Sequence, residues 1–152
     1  MASLVQPGFA DEVLAATAAL CDEVDRLEFG DPVACIYNPL RYAWPLHEQY
    51  VRRWGASPRR VLMFGMNPGP WGMAQTGVPF GEISMVREFM GLEGKVGTPD
   101  PEHPKRPVQG LDCPRSEVSG RRLWGYFGER FGGPAAFFAE HFIVNYCHRV
   151  CM

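Results

Sequence analysis

Positions Val13, Thr17, Leu20, Val24 and Leu27 recur every three or four residues from Asp11 onward, with acidic residues early and Gly30 beyond the pattern, which predicts an amphipathic helix. A second helix is predicted from Pro45, suited to a first turn, through Leu46, Tyr50 and Trp54 to a stop near Gly55. Between them, Ile36-Tyr37-Asn38-Pro39 reads as a turn. The continuous apolar run Val61-Leu62-Met63-Phe64, ending at Gly65, predicts a buried parallel strand, and His141 to Cys147 predicts another. A short helix is expected over Ile83 to Leu92. Another, capped by Ser119 and directing Leu123, Phe127 and Phe131 inward, is followed by one or two turns from Pro134 to Glu140. Gly94 to Arg115, rich in proline and polar residues, reads as an exposed excursion.

Strands separated by helical stretches imply an α/β fold: a parallel sheet with helices on its faces and ligands bound beyond the carboxyl ends of the strands. Asn67 and Asn145 both fall at such ends. Residues 65 to 82, GMNPGPWGMAQTGVPFGE, hold five glycines and three prolines, so this segment must be an irregular loop with several fixed turns.

Composition narrows the picture. At 152 residues and 46% hydrophobic, the chain suits one domain and is too short for two. The net charge of -2 means that any nucleic-acid contact must come from a local basic patch. Candidates are Lys105-Arg106 and Arg121-Arg122, which could equally be a solvated surface. No apolar run approaches the ~20 residues that span a bilayer, and the start MASLVQPGFADE lacks the charged and apolar regions of a secretory leader, so an intracellular chain without membrane association is expected. Five scattered cysteines fit reduced thiols. Cys147, His148 and Cys151 lack the second ligand pair of a zinc site, so no metal is expected.

Two asparagines after two strands, with Phe80 in the glycine-rich loop, suit a planar heterocycle. An amide offers one acceptor and two donors to the alternating edge of a pyrimidine, and an aromatic ring can stack on its face. Each residue also has a plainer reading: Asn67 bracing a turn, Asn145 satisfying local backbone groups, Phe80 filling core.

The run from Gly65 to Gly81 closely resembles the water-activating motif of the single-strand-selective uracil-DNA glycosylases. The resemblance extends through Ser84-Met85-Val86-Arg87, His103-Pro104-Lys105-Arg106-Pro107 and Ser116-Glu117-Val118-Ser119-Gly120 to Asn145, and the N-terminal helices share it. It implies a three-layer α/β/α uracil-DNA glycosylase-like fold over a single domain, residues 1–152. It further implies that Asn67 holds the attacking water, where classical relatives use an aspartate, although an amide is no carboxylate base. Phe80 would stack on the flipped base, the Met66 backbone would contact it, and the Asn145 amide would read its polar edge. Gly69 falls where classical relatives place a bulky aromatic residue, leaving room for 5-substituents as in 5-hydroxymethyluracil.

The reaction so implied is base-excision repair: hydrolysis of the N-glycosidic bond of uracil or an oxidised pyrimidine in single- or double-stranded DNA after base flipping. The expected setting is a monomer in the nucleus, needing no metal or organic cofactor. The family's later His-Pro-Ser-Pro motif, whose histidine stabilises the departing uracil, does not occur here, and no histidine takes that role. The chain is therefore expected to be a truncated or alternatively spliced N-terminal part, its sheet incomplete and its turnover weak or absent. The alternatives are a non-catalytic DNA- or partner-binding fragment, an unstable splice product, or a nucleobase-binding module unrelated to repair.

Overall fold

The computed structural model describes residues 8–152, so positions 1 to 7 of the expected leaderless start lie outside the described residues. Helix α1 spans Phe9–Asp25, and its first turn carries Asp11 and Glu12, where carboxylates favour the positive end of the helix dipole. The Asp11 carboxylate also accepts from the Gly8 N–H at 3.2 Å. The buried positions are Leu14 and Cys21, with Val13, Thr17, Leu20 and Val24 half-buried beside them. Leu27, expected to face the core, lies past the helix and is 54% exposed.

The turn expected at Ile36 to Pro39 is corrected. Ile36–Tyr37 form strand β1, paired antiparallel with β4 at Val150–Cys151, and Asn38 caps helix α2 (Pro39–Tyr42) by accepting from the Leu40 N–H. The turn chemistry of Asn-Pro is present, but a partner strand far along the chain converts the two residues before it into a ladder. Helix α3 (Trp44–Trp54) places Pro45 in its first turn and ends at Gly55. A Cβ on Gly55 would lie 2.8 Å from the Phe142 ring, so the stop is also a close approach to the sheet.

Strands β2 (Val61–Gly65) and β3 (His141–Asn145) pair in parallel, Val61 opposite His141 and Gly65 opposite Asn145. Alternation sends Leu62, Phe64, Phe142 and Val144 to one face. There Phe142 stacks on Tyr50 of α3 at 4.8 Å between centroids, and the Tyr50 hydroxyl donates to the Ile143 carbonyl. On the other face, the His141 ring meets Phe131 and Phe137 from helices α5 (Val118–Phe131) and α6 (Pro134–Glu140). Helices thus cover both faces of a small parallel sheet, an α/β arrangement. The α1 side is loosely covered: Leu62 is 53% and Phe64 65% exposed, beside cavities of about 390 and 320 Å³ that Val13 also lines.

The core is an aromatic cluster. Trp124 of α5 packs with Phe127, Phe137 and Phe138, and Phe138 stacks on Trp54. Two further expectations change. Helix α5 starts at Val118 with Glu117 in the cap position, so Ser119 lies inside its first turn, and the helix expected over 83 to 92 is a π-helical turn, Met85–Phe89. The segment 94 to 115 is no free excursion either, since Val108, Gly110 and Cys113 are buried. The Gln75 amide, fully buried in helix α4 (Met73–Thr76), explains this. It donates to the Pro70 and Pro107 carbonyls and accepts from the Gln109 N–H, clipping the excursion to the glycine-rich loop.

Among the described residues no helix is long and apolar enough to cross a membrane, and all five cysteines are free. Truncating the fully packed Phe138 to alanine is expected to cost about 3–5 kcal/mol, whereas Tyr126→Ala, at a residue 61% exposed, should cost less than about 0.5 kcal/mol. Urea unfolding of the two variants beside the parent chain measures both.

Candidate active site

The carboxyl ends of β2 and β3 converge on one glycine. A Cβ built on Gly65 would fall 2.2 Å from Asn145 Oδ1 and 2.7 Å from the Phe80 ring, so a residue without a side chain is what lets the Asn145 amide and Phe80 meet there. The ladder runs on past the strands, with the Tyr146 N–H donating to the Gly65 carbonyl at 2.8 Å and the Cys147 N–H to the Met66 carbonyl at 2.9 Å. Asn145 is buried, and its Nδ2 points to the Met73 sulfur at 3.0 Å. A thioether is a weak acceptor, so this donor keeps most of its capacity for a carbonyl oxygen.

Phe80 is held by its backbone. With φ +51 it is the non-glycine residue in left-handed conformation among those described, a state that costs of order 1–3 kcal/mol. Its carbonyl accepts from the Trp124 indole N–H at 3.0 Å and from the Glu82 N–H at 2.8 Å. A Cβ on Gly120 would lie 2.3 Å from the same oxygen, so α5 closes onto the loop at this point. Strain stored at a half-exposed aromatic ring beside a buried amide is the kind found at ligand clamps.

Asn67 stands two residues beyond the convergence, exposed, with Nδ2 donating to the Pro68 carbonyl at 3.3 Å, and its Oδ1 accepts no hydrogen bond among the described residues. The Met66 side chain is 80% exposed, and its carbonyl is engaged by Cys147. Gly69 lies against Glu117: a Cβ there would fall 1.8 Å from Glu117 Oε1, and one on Gly72 would fall 2.0 Å from Oε2. Asn145 and Phe80 are thus brought together at Gly65, Asn67 sits at the rim, and Gly69 is occupied on its open side by a carboxyl group.

Sequence reasoning missed Gly65, Met73, Gln75 and Glu117 as parts of this site. Glu117 stood within the quoted Ser-Glu-Val-Ser-Gly segment, but nothing in its spacing shows that it folds onto Gly69. Burial pushes its carboxyl up, against a hydrogen bond from Ser119, and nearby Glu82 pushes the same way. Oε2 is buried with no hydrogen-bond partner among the described residues. Burial also raises Glu82, but Ser84, Ser116 and the Met85 N–H hydrogen-bond its carboxylate and hold it below the usual range. Two histidines line a cavity with Asn145: burial takes His47 down to about 4, against the Gly77 carbonyl bond, and burial lowers His148 as well. Among the described residues, no group of three or more histidine, cysteine or acidic side chains is placed to hold a metal ion.

Single-strand selective monofunctional uracil DNA glycosylases from Bos taurus and Mus musculus are each 54% identical to this chain over 140 residues, 92% of its length. The chain is a sequence relative of the single-strand selective monofunctional uracil-DNA glycosylases. It spans about half the length of these relatives, 50% and 49%. No family model matches it. A solved structure, wild-type Pedobacter heparinus SMUG2, superposes with a TM-score of 0.56 over 92% of this chain and 53% of that one; at 23% identity it speaks to the fold.

Because Glu117 is raised in the folded state, its neutral form suits the fold, and its contribution is complete at low pH and lost as pH climbs through its elevated titration. The stability of the parent chain relative to Glu117→Gln is therefore expected to fall as pH rises above the ordinary carboxylate range. Thermal unfolding of both proteins across pH reads this directly; a constant difference contradicts it.

Proposed function

We propose that this chain is the base-reading part of a uracil-DNA glycosylase, acting on uracil in DNA; the room for 5-substituents expected at Gly69 is filled by the Glu117 carboxyl group, which works against a 5-methyl group as in thymine. One observation carries the reading: the buried Asn145 amide and the strained Phe80 ring meet at Gly65, a polar edge-reader beside a stacking face, at the carboxyl ends of two parallel strands. The flipped base stacks on Phe80 and presents its polar edge to Asn145, displacing the weak Met73 contact. Met66 supplies backbone beside it. Asn67 Oδ1 holds a water at the rim, which adds to the sugar carbon as the bond to the base breaks. The bonding pair leaves on the base, and the water's proton passes to solvent, since an amide cannot take it. Similarity to glycosylases acting on this chemistry supports the assignment, with base-excision repair in the nucleus as its setting and a monomer as its form.

The apolar face of the sheet favours a second reading. Exposed Leu62 and Phe64 beside two cavities suit a fragment that binds damaged strands or another partner without turning over. Release of uracil from a single-stranded oligonucleotide by the purified chain separates the two. The glycosylase reading expects release that Asn67→Ala lowers by roughly a hundred- to a thousand-fold, the usual scale for one preorganised polar group. Uracil-dependent binding without release supports the second reading in its strand-binding form, and neither binding nor release overturns that form together with the glycosylase reading.

A further inference from the structure

The overall charge of -2 gives a polyanion no general attraction, so a strand has to be held by a local cationic surface. One is built beside the glycine-rich loop. Trp71, four residues past Asn67, has the Arg115 guanidinium 4.7 Å and the Arg106 guanidinium 5.4 Å from its ring centroid. The two arginines come from different segments, and a buried polar group ties each segment to this loop. Gln75 clips Pro107, next to Arg106, to Pro70, next to Trp71. Glu117, two residues after Arg115, lies against Gly69 and Gly72. Neither arginine takes part in an ion pair among the described residues. The Glu102 carboxylate is engaged by the Val108 N–H, and that of Glu117 is turned into the loop.

We propose that Arg106 and Arg115, held against Trp71, form a phosphate-binding platform along which the backbone of a single DNA strand runs past the Gly65 pocket. A guanidinium resting on an indole keeps N–H groups at its edge for phosphate oxygens, Arg106 spending one on a long 3.4 Å bond to the Lys105 carbonyl, and the ring fixes its position before the strand arrives. The identity of the strand as DNA rests on the glycosylase reading; the platform itself does not need the pocket.

The test is fluorescence anisotropy of a uracil-free, all-thymine single-stranded oligonucleotide with the full chain, between about 50 and 200 mM salt. Joint Arg106→Ala and Arg115→Ala replacement is expected to weaken binding roughly ten- to a hundred-fold and to reduce the salt slope by about 1.4, near 0.7 for each phosphate contact on a single strand. Joint replacement by lysine restores the slope, and Trp71→Ala weakens binding while keeping it. Arg130→Ala, removing a guanidinium that lies 5.6 Å from Phe131 elsewhere on α5, serves as the control and leaves both unchanged. No strand binding by the parent chain, a double alanine variant with parental affinity and slope, or an equal loss in the control overturns the platform. The pocket reading is scored separately: arginine-dependent strand binding with no preference for uracil defeats the glycosylase reading alone. Asn67-dependent uracil release with unchanged strand binding in the double variant defeats the platform alone.

Discussion

The absence of a side chain at Gly65 is the constraint on which the site depends. The parallel register of β2 and β3 sets Gly65 opposite Asn145, and the space a Cβ would claim is taken by the Asn145 amide and the Phe80 ring. Any larger residue would push these groups apart, because a Cβ at 2.2 Å from Asn145 Oδ1 and 2.7 Å from the Phe80 ring overlaps both. Register, a property of the whole strand pair, is thereby converted into the position of two functional side chains. Phe80 completes the arrangement at the cost of an unfavourable backbone conformation, offset by the Trp124 and Glu82 hydrogen bonds to its carbonyl.

Around that point, buried polar groups organise the loops. Gln75 satisfies its amide with three backbone partners and so draws residues 107 to 109 onto the segment after Asn67. Glu117 occupies the open sides of Gly69 and Gly72, and Gly120 lets α5 close onto Phe80. The glycines of the loop therefore serve close approaches by specific carboxyl, amide and carbonyl groups. The three Gln75 contacts hold the loop in one arrangement because leaving a buried amide group unpaired costs about 1–3 kcal/mol.

The elements driven by local pattern were legible in the sequence. The runs at Val61 and His141 are strands, the spacing around Leu46 and Tyr50 is a helix ending at Gly55, and the helix from Pro134 is present. What escaped the pattern was set by distant partners. Strands β1 and β4 are two residues each and exist through each other, and the burial of Val108, Gly110 and Cys113 follows from one glutamine, Gln75, 32 residues before the Pro107 it holds. For the site, residue chemistry suggested Asn67, Asn145 and Phe80, and resemblance gave them roles. The structure then added Gly65, Met73 and Glu117, whose contribution is their placement against backbone, something that no spacing rule encodes.

The sheet face bearing Leu62 and Phe64 remains open in a chain about half as long as its curated relatives, while the convergence at Gly65 is complete within it. The most direct test of that convergence is an NMR titration following the side-chain amide of Asn145 against two single strands, one carrying a uracil whose 2′-fluoro sugar resists base loss, the other thymine in its place. The account predicts a large, saturable shift of the Asn145 amide signals with the uracil strand and little change with the thymine strand. Equal responses to both strands, or none to either, would contradict it.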